Sequence, residues 1–400
     1  MNNNIIFNNI TLSEWNDEIT NSLMPNIIIL AVYLVLGTWG NILVLLVYTF
    51  HMKDRSDERY FIPFLAFCDM IATIYLGVHY IFQCFNQTTF SNSILCKTLV
   101  FFVGNTTYNS VFILFIIAIQ RYMKVCMPLK PSMSISMKKT ALLLALLLSL
   151  LFALPIPFAY GAIPYHSINY GISGKRCGRL KKGTPFVRTV YSVVAGMFVF
   201  VIVASLIIIY SRIVSTVFRH LKVNRNDLSV NKKENETIAE DENHPVVNSF
   251  KGIEMIAIRD KTEKHSTAQD TKPNKGGQQT IEMPVVNNME SAASRKRRIN
   301  NRRITNKLTL IFVIITTVFL LCYIPKVTLL ILEGLDTDFW EKLPASQRPG
   351  VTILYHIFIL HNIVNPIVYA FFDIEFRQDA ALLLKCMFIK PCICSRGIQL

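Results

Sequence analysis

The sequence is short of charge. Only 17% of its 400 residues are Asp, Glu, Lys or Arg, against about 25% in a soluble domain. With 52% hydrophobic residues, much of the chain is expected not to face water. Lysine and arginine are missing from the first 52 residues. The stretch Met1–Pro25 is Asn-rich and acidic instead, with Glu14, Asp17 and Glu18. It lacks the basic start and short apolar run of a cleaved signal peptide, so the first long apolar run is expected to serve as the targeting signal itself. Zinc-finger and RNA-binding signatures are also lacking. The net charge of +15 is therefore not read as affinity for nucleic acid, because the basic residues lie between long apolar runs. Nine cysteines in a chain this long do not make a disulfide scaffold. No metal-ligand or Ser-His-Asp arrangement stands out. His356 and His361 are five residues apart, which is poor for one helical face, and no enzymatic activity is expected.

What the sequence does have is seven apolar runs near the roughly 20 residues that cross a bilayer. They are about Ile27–Phe50, Phe61–Phe85, Thr98–Arg121, Ala141–Ala159, Val187–Ile213, Leu308–Leu332 and Gly350–Phe372. The fifth and sixth are rich in β-branched residues, but they are far longer than a soluble strand. Backbone groups in lipid must be satisfied internally, so each run predicts a helix. The expected fold class is an all-α membrane protein, a seven-transmembrane helix bundle. Its segments are an N-terminus (1–25), spans one to five (26–218), a loop (219–303), spans six and seven (304–372) and a tail (373–400). A transporter is the main rival class, but the two repeated halves common in transporters are not visible.

Orientation follows from basic residues in short loops. Lys53, Arg55 and Arg59 follow span one; Lys124, Lys130, Lys138 and Lys139 follow span three. These loops are expected to be cytoplasmic and the N-terminus outside, at the plasma membrane. Sequons at Asn9 and Asn86 agree as glycosylation sites, whereas those at Asn105 and Asn235 are expected to stay unmodified. One loop breaks the charge rule. Lys175, Arg176, Arg179, Lys181, Lys182 and Arg188 lie between spans four and five, either as a solvated basic loop or as a surface that steers an acidic ligand. The long loop before span six is polar and poor in aromatics, and is expected to be disordered. Its basic end, Arg295–Arg298 with Arg302 and Arg303, suits contact with membrane lipid or a partner protein.

Polar residues inside spans are costly. Asn41, Asp69, Ser110, His361, Asn362 and Asn365 fall there. They either hydrogen-bond between helices or gather around Asp69, where Ser110, Asn362 and Asn365 could help hold a sodium ion. No other cofactor is expected. Cys96 and Cys177 lie in two outer loops, where an oxidising exterior permits a disulfide; Cys84 is a rival partner. Cys96 stands 25 residues before Arg121, which is roughly 37 Å of helix and matches one bilayer with its edges.

Arg121-Tyr122 with Val125 and Pro128, Cys322-Tyr323-Ile324-Pro325 and Asn365-Pro366-Ile367-Val368-Tyr369 stand in order on spans three, six and seven. With Asn41, Asp69, Tyr210 and Phe319 they resemble the motif set of rhodopsin-like (class A) G-protein-coupled receptors, over about Ile27 to Cys394. The chain departs from that pattern at Gln120, where the family has an acid, and at Thr305, which offers no carboxylate in its place. Tyr323 stands where the family has tryptophan, and spans four and five lack the usual Trp and Pro. The resemblance implies that Pro325 and Pro366 are hinges and that Phe319 and Tyr323 form a toggle. It also implies that Gln120, Arg121, Tyr122, Tyr210, Asn365, Pro366 and Tyr369 switch coupling to a heterotrimeric G protein, with arrestin and receptor kinases as further partners.

Amine receptors of the family carry an aspartate where this chain has Val103, and opsins a lysine where it has Ile359. The short stretch before span one is expected to leave no room for a large ligand-capturing ectodomain. An extracellular peptide, neuropeptide-like, is the expected ligand, with a small acidic ligand as the alternative. Val103, Thr107, Lys326 and Tyr355 are expected to line the site. Lys326 would be the partner of a ligand carboxylate, unless it snorkels or pairs with an acid. Glu333, Asp336, Asp338 and Glu341 would instead suit a basic peptide. After span seven, Asp373–Leu384 predicts a short amphipathic helix on the membrane surface. Cys386, Cys392 and Cys394 beyond it are palmitoylation candidates.

Overall fold

The computed structural model describes residues 10–50, 59–167, 170–180, 194, 196–219, 292–336 and 338–388, with only the backbone for 292–303 and 386–388. Asn9, Lys53, Arg55, Lys181, Lys182, Arg188, Asn235, Cys392 and Cys394 lie outside the described residues, and the side chain of Cys386 is not described. Residues 1–218 with 300–400 form one compact unit and 219–299 a second. In the second, the expected loop, what is described is Arg219 and the backbone from Ala292.

Seven helices are long and apolar enough to cross a membrane: Met24–Phe50, Phe61–Phe85, Ser93–Cys126, Ile135–Ala159, Gly196–Arg219, Ile304–Leu335 and Arg348–Phe372. Each overlaps its expected run. Span three starts earlier than its apolar run because Asn92 caps it, its side chain accepting from the Leu95 amide at 3.0 Å. A capped helix can extend through polar turns that carry no hydropathy signal. Span six belongs to a helix that begins at Ala292. Residues 292–303, at the end of the expected loop, are helical. Between Ala292 and Pro325 no proline or glycine interrupts the run, and Ala, Arg and Lys are good helix formers. Span seven is broken in the middle. Arg348–His356 and Leu360–Phe372 are α-helical, and Ile357–Ile359 between them is a 3₁₀ turn.

Outward-facing positions along the spans are apolar and exposed, among them Trp39, Leu147, Phe200 and Leu321, as expected of helices set in hydrocarbon. The interior packs tightly where side chains are small. A Cβ on Gly37 would lie 2.6 Å from Thr73 Cγ2 and 3.0 Å from Ile363 Cγ1, and one on Gly40 would lie 3.1 Å from Pro366. Span one therefore approaches spans two and seven at its glycines.

Two elements at one end of the bundle were not expected. The segment between spans four and five is an antiparallel hairpin, β1 Tyr160–His166 and β2 Ser173–Arg179, with Ala162 opposite Cys177. Its turn passes through Gly171 at φ 67°, a conformation that favours glycine. The hairpin is tied to the start of span three by the Cys96–Cys177 disulfide, Cα–Cα 5.4 Å. It is also tied to the preceding loop: Phe90 N donates to Lys175 O at 2.9 Å, and Lys175 N to Thr88 O at 2.7 Å. Cys84, the rival partner, is a buried free thiol whose sulfur accepts from Asn26 Nδ2 at 3.2 Å.

The second element is a helix at Leu12–Ser22, closed by a capping box in which Thr11 and Glu14 bond reciprocally. It lays Trp15, Asn16, Ile19 and Thr20 against this end of the bundle. Trp15 stacks on Tyr165 of β1 at 5.2 Å between ring centroids. Asn16 donates to Phe85 O at 2.8 Å and accepts from the Thr88 amide at 3.1 Å. At the opposite end, an amphipathic helix at Ile374–Phe388 follows span seven. Asp373 starts it, accepting from the Glu375 amide at 3.2 Å. Arg59, at the start of span two, pairs with Asp373 at 3.2 Å and with Glu375 at 2.8 Å.

Candidate functional site

A cavity of about 1270 Å³ opens at the hairpin end. Spans two, three, five, six and seven and the hairpin all contribute to its wall. Val103, Thr107, Lys326 and Tyr355, expected from sequence to share one site, all line it, and so does Tyr323. Phe319 lines its floor with Tyr323; their ring centroids are 4.4 Å apart, and His361 packs beside both at 5.1 and 5.2 Å.

Lys326 is 7% exposed, and no carboxylate ion-pairs with it among the described residues. Its ammonium sits 2.9 Å from the Tyr355 ring centroid, 5.0 Å from Phe358 and 5.4 Å from Tyr80, and donates to the Tyr80 hydroxyl at 3.4 Å. An aromatic box holds a cation through ring quadrupoles, but it brings no carboxylate into direct contact; Glu333 acts on the charge only from a distance. His356 caps the same box: its ring centroid is 4.2 Å from that of Tyr80, and its Nδ1 lies 3.1 Å from Asn26 Oδ1.

Sequence reasoning missed the contribution of Arg348. It lines the cavity together with Arg176, Arg179 and Tyr165. Burial pulls the Arg176 guanidinium below its ordinary value, and Arg348 adds to the fall, while Tyr165, Glu333 and Glu341 push it back up. Glu333 is the one acid among the described lining residues. Arg348 stands at the edge of an apolar run, so nothing in the sequence marked it.

Mid-bundle, Asn365 Nδ2 donates to Asp69 Oδ2, and Asn41 Nδ2 donates to Asn362 O and Gly37 O, each at 2.9 Å. Asp69 Oδ1 and Asn365 Oδ1 are buried without hydrogen-bond partners. Both residues line a void of about 10 Å³ with Ser110 and His361, close to the room one water needs. Two orphaned acceptor oxygens, one of them a carboxylate's, fit a small monovalent cation. Asn362, expected in the same set, does not line this void.

Near the opposite end, Arg121 is fully buried, its guanidinium 4.7 Å from the Phe312 ring centroid. Gln120 beside it is buried, and Tyr122 is half-buried against the cluster of spans three, four and five. Tyr210 accepts from Thr316 Oγ1 at 3.0 Å. Tyr369 packs in the same buried cluster as Phe312, with Phe376 of the tail helix at 6.0 Å. Pro325 and Pro366 both lie inside helices.

These positions place the motifs on six of the seven helices in the expected order. A family model described as 7 transmembrane receptor (rhodopsin family) matches residues 40–369. The chain belongs to the rhodopsin family of seven-transmembrane receptors. It is 22% identical to neuropeptide receptor 22 of Caenorhabditis elegans over 394 residues, 94% of this chain and 72% of that one. It is 29% identical over 102 residues to chemerin-like receptor 1 of Rattus norvegicus, 26% of this chain and 27% of that one; the match thus spans about a quarter of that receptor's length. The fold is that of squid rhodopsin, with a TM-score of 0.56 and 17% identity over 97% of this chain and 84% of that one.

Proposed function

We propose that this receptor sits in the plasma membrane with its N-terminus outside and binds an extracellular peptide in the hairpin-end cavity. The observation that carries the reading is Lys326, a buried cation in an aromatic box on the cavity wall with no ion-paired carboxylate among the described residues. A ligand carboxylate would supply the missing counter-ion. The relatedness to a neuropeptide receptor over most of the chain supports a peptide as the carrier of that carboxylate.

Ligand contact at Lys326 and Tyr355 would bear on Tyr323 and Phe319 one and two turns below, and so on the inner half of span six. Outward movement of that half about Pro325 would open a cleft around Arg121, Tyr122, Tyr210 and Tyr369 for a heterotrimeric G protein. Asn365 and Pro366 would take part in the switch, and Gln120 would set its resting bias. Arrestin and receptor kinases would act on the same face. A sodium ion at Asp69, with Ser110 and Asn365, would favour the resting packing. Asn9 and Asn86 would carry glycans, and Cys386, Cys392 and Cys394 palmitate.

A peptide-library screen on cells expressing the chain, read as calcium and cyclic AMP, tests the reading. Lys326→Ala is expected to weaken the potency of any peptide found by about ten- to a hundredfold, the worth of one charge-assisted hydrogen bond, with surface expression retained. Unchanged potency would remove Lys326 from the ligand site.

A further inference from the structure

The cavity carries more positive charge than one ligand carboxylate can satisfy. Arg176 on β2 and Arg348 at the start of span seven both line it, with guanidinium carbons 4.8 and 5.9 Å from the Tyr165 ring centroid. Trp15 of the N-terminal helix stacks on that ring with an interplanar angle of 11°. Tyr165 is thus stacked on Trp15 while Arg176 lies over its ring. The aromatic brace comes from two separate pieces of chain, the N-terminal helix and β1, and holds both cations beside the cavity.

Neither arginine has an ion-paired carboxylate among the described residues. Arg348 Nη2 donates to Trp340 O at 3.4 Å, a long bond, and the Nε of each arginine is buried with no hydrogen-bond partner. Two guanidiniums sharing one ring repel each other, and buried donors without acceptors are costly. Both penalties vanish when an anion enters, because the planar fork of arginine matches a carboxylate with two parallel hydrogen bonds. Lys326 is held by a different set of rings, Tyr80, Tyr355 and Phe358, so the arginines have a brace of their own.

We propose that Arg176 and Arg348, braced on Tyr165, form a second anion subsite at the hairpin side of the cavity, and that it takes an acidic side chain of the same peptide whose carboxyl end reaches Lys326. The ligand class is therefore a peptide with a free carboxyl end and an internal Asp, Glu or similarly anionic residue. This rests on the peptide reading above.

The probe is a library of hexapeptides with free carboxyl ends, each internal position fixed in turn as Glu or Gln, applied to cells expressing the full chain. Active peptides are remade as C-terminal amides and tested on Arg176→Gln, Arg348→Gln, Arg348→Lys and Lys326→Gln, with surface expression measured for each. Glu is expected to beat Gln at one internal position by tenfold or more in potency. Either arginine-to-glutamine change should cut that preference below threefold and leave the preference for free acid over amide intact. Lys326→Gln should do the reverse. Arg348→Lys should keep part of the Glu preference, which separates loss of charge from misfolding. Absence of any Glu preference, or one that survives both arginine changes, overturns the subsite. A Glu preference that depends on Arg348, with an acid-over-amide preference indifferent to Lys326, keeps the subsite and removes Lys326 from the reading above. If no peptide evokes a response, the peptide reading fails and this subsite fails with it.

Discussion

Gly37 sits where a larger side chain meets packed atoms that cannot retreat. Its nearest neighbour, Thr73, is held by a 2.7 Å hydrogen bond from its hydroxyl to Asp69 O, and Ile363 is buried on the other side. Gly37→Val is expected to cost about 1–3 kcal/mol through overpacking, read as a lower unfolding midpoint of the solubilised receptor. Gly37→Ala should fall between it and the native chain; no change in either variant would mean that spans one and two can separate freely. The polar half of this neighbourhood was legible in the sequence, because Asn41, Asp69 and Asn365 stand out in apolar runs. The glycine was not. Its role comes from contact among spans one, two and seven, far apart in the chain. The same holds for Arg348, which meets Tyr165 and Arg176 only after the hairpin folds back.

At the scale of elements, the seven spans were readable because each is a continuous apolar run of bilayer length. The hairpin was not readable. Its strands, Tyr160–His166 and Ser173–Arg179, carry Pro164 and three glycines and lack a clean alternation. Pairing with the loop before span three and the disulfide to Cys96 hold them instead. The N-terminal helix did leave a signal: Thr11 and Glu14 at capping-box spacing, then Trp15, Ile19 and Leu23 four apart. The Asn-rich setting concealed it.

Hydrogen bonds from the Thr11 amide and hydroxyl to its carboxylate lower the Glu14 pKa from its ordinary 4.5. A carboxylate whose folded value is depressed stabilises fully above its unfolded value and loses that contribution as pH falls through the folded one. Amide exchange across Trp15–Ser22, corrected for intrinsic rates, should therefore quicken below about pH 4.5 relative to neutral pH. In Glu14→Ala, which removes the acceptor, it should be fast at both. A cap indifferent to acid in the native chain would show that docking of Trp15, not the capping box, holds the helix.

At the scale of the whole molecule, the two ends of the receptor are linked by span six, one helix from Ala292 to Leu335. Lys326 and Tyr323 face the cavity, Phe319 touches both the cavity and the central void, and Phe312 lies against Arg121. On the proposed reading, a shift of span six at one end would pass along this packing to the other. How readily it would shift depends, on that reading, on what holds Arg121 in place. The chain has Gln120 where a carboxylate would give Arg121 a charged neighbour on its own helix, and Thr305 offers none from span six. Gln120→Glu should add a charge-assisted contact that exists only while Arg121 stays in its resting place. If that contact is worth about 1 kcal/mol in a partly dry setting, the resting state gains roughly fivefold in population. Agonist-free nucleotide exchange on purified G protein should fall by about that factor, with maximal agonist response reached at higher agonist concentration. Gln120→Leu, which adds no charge, should not lower basal exchange. Equal basal exchange in Gln120→Glu and the native receptor would mean that Phe312 packing and the other contacts of Arg121 already fix the resting state, and that the departure at Gln120 carries no bias.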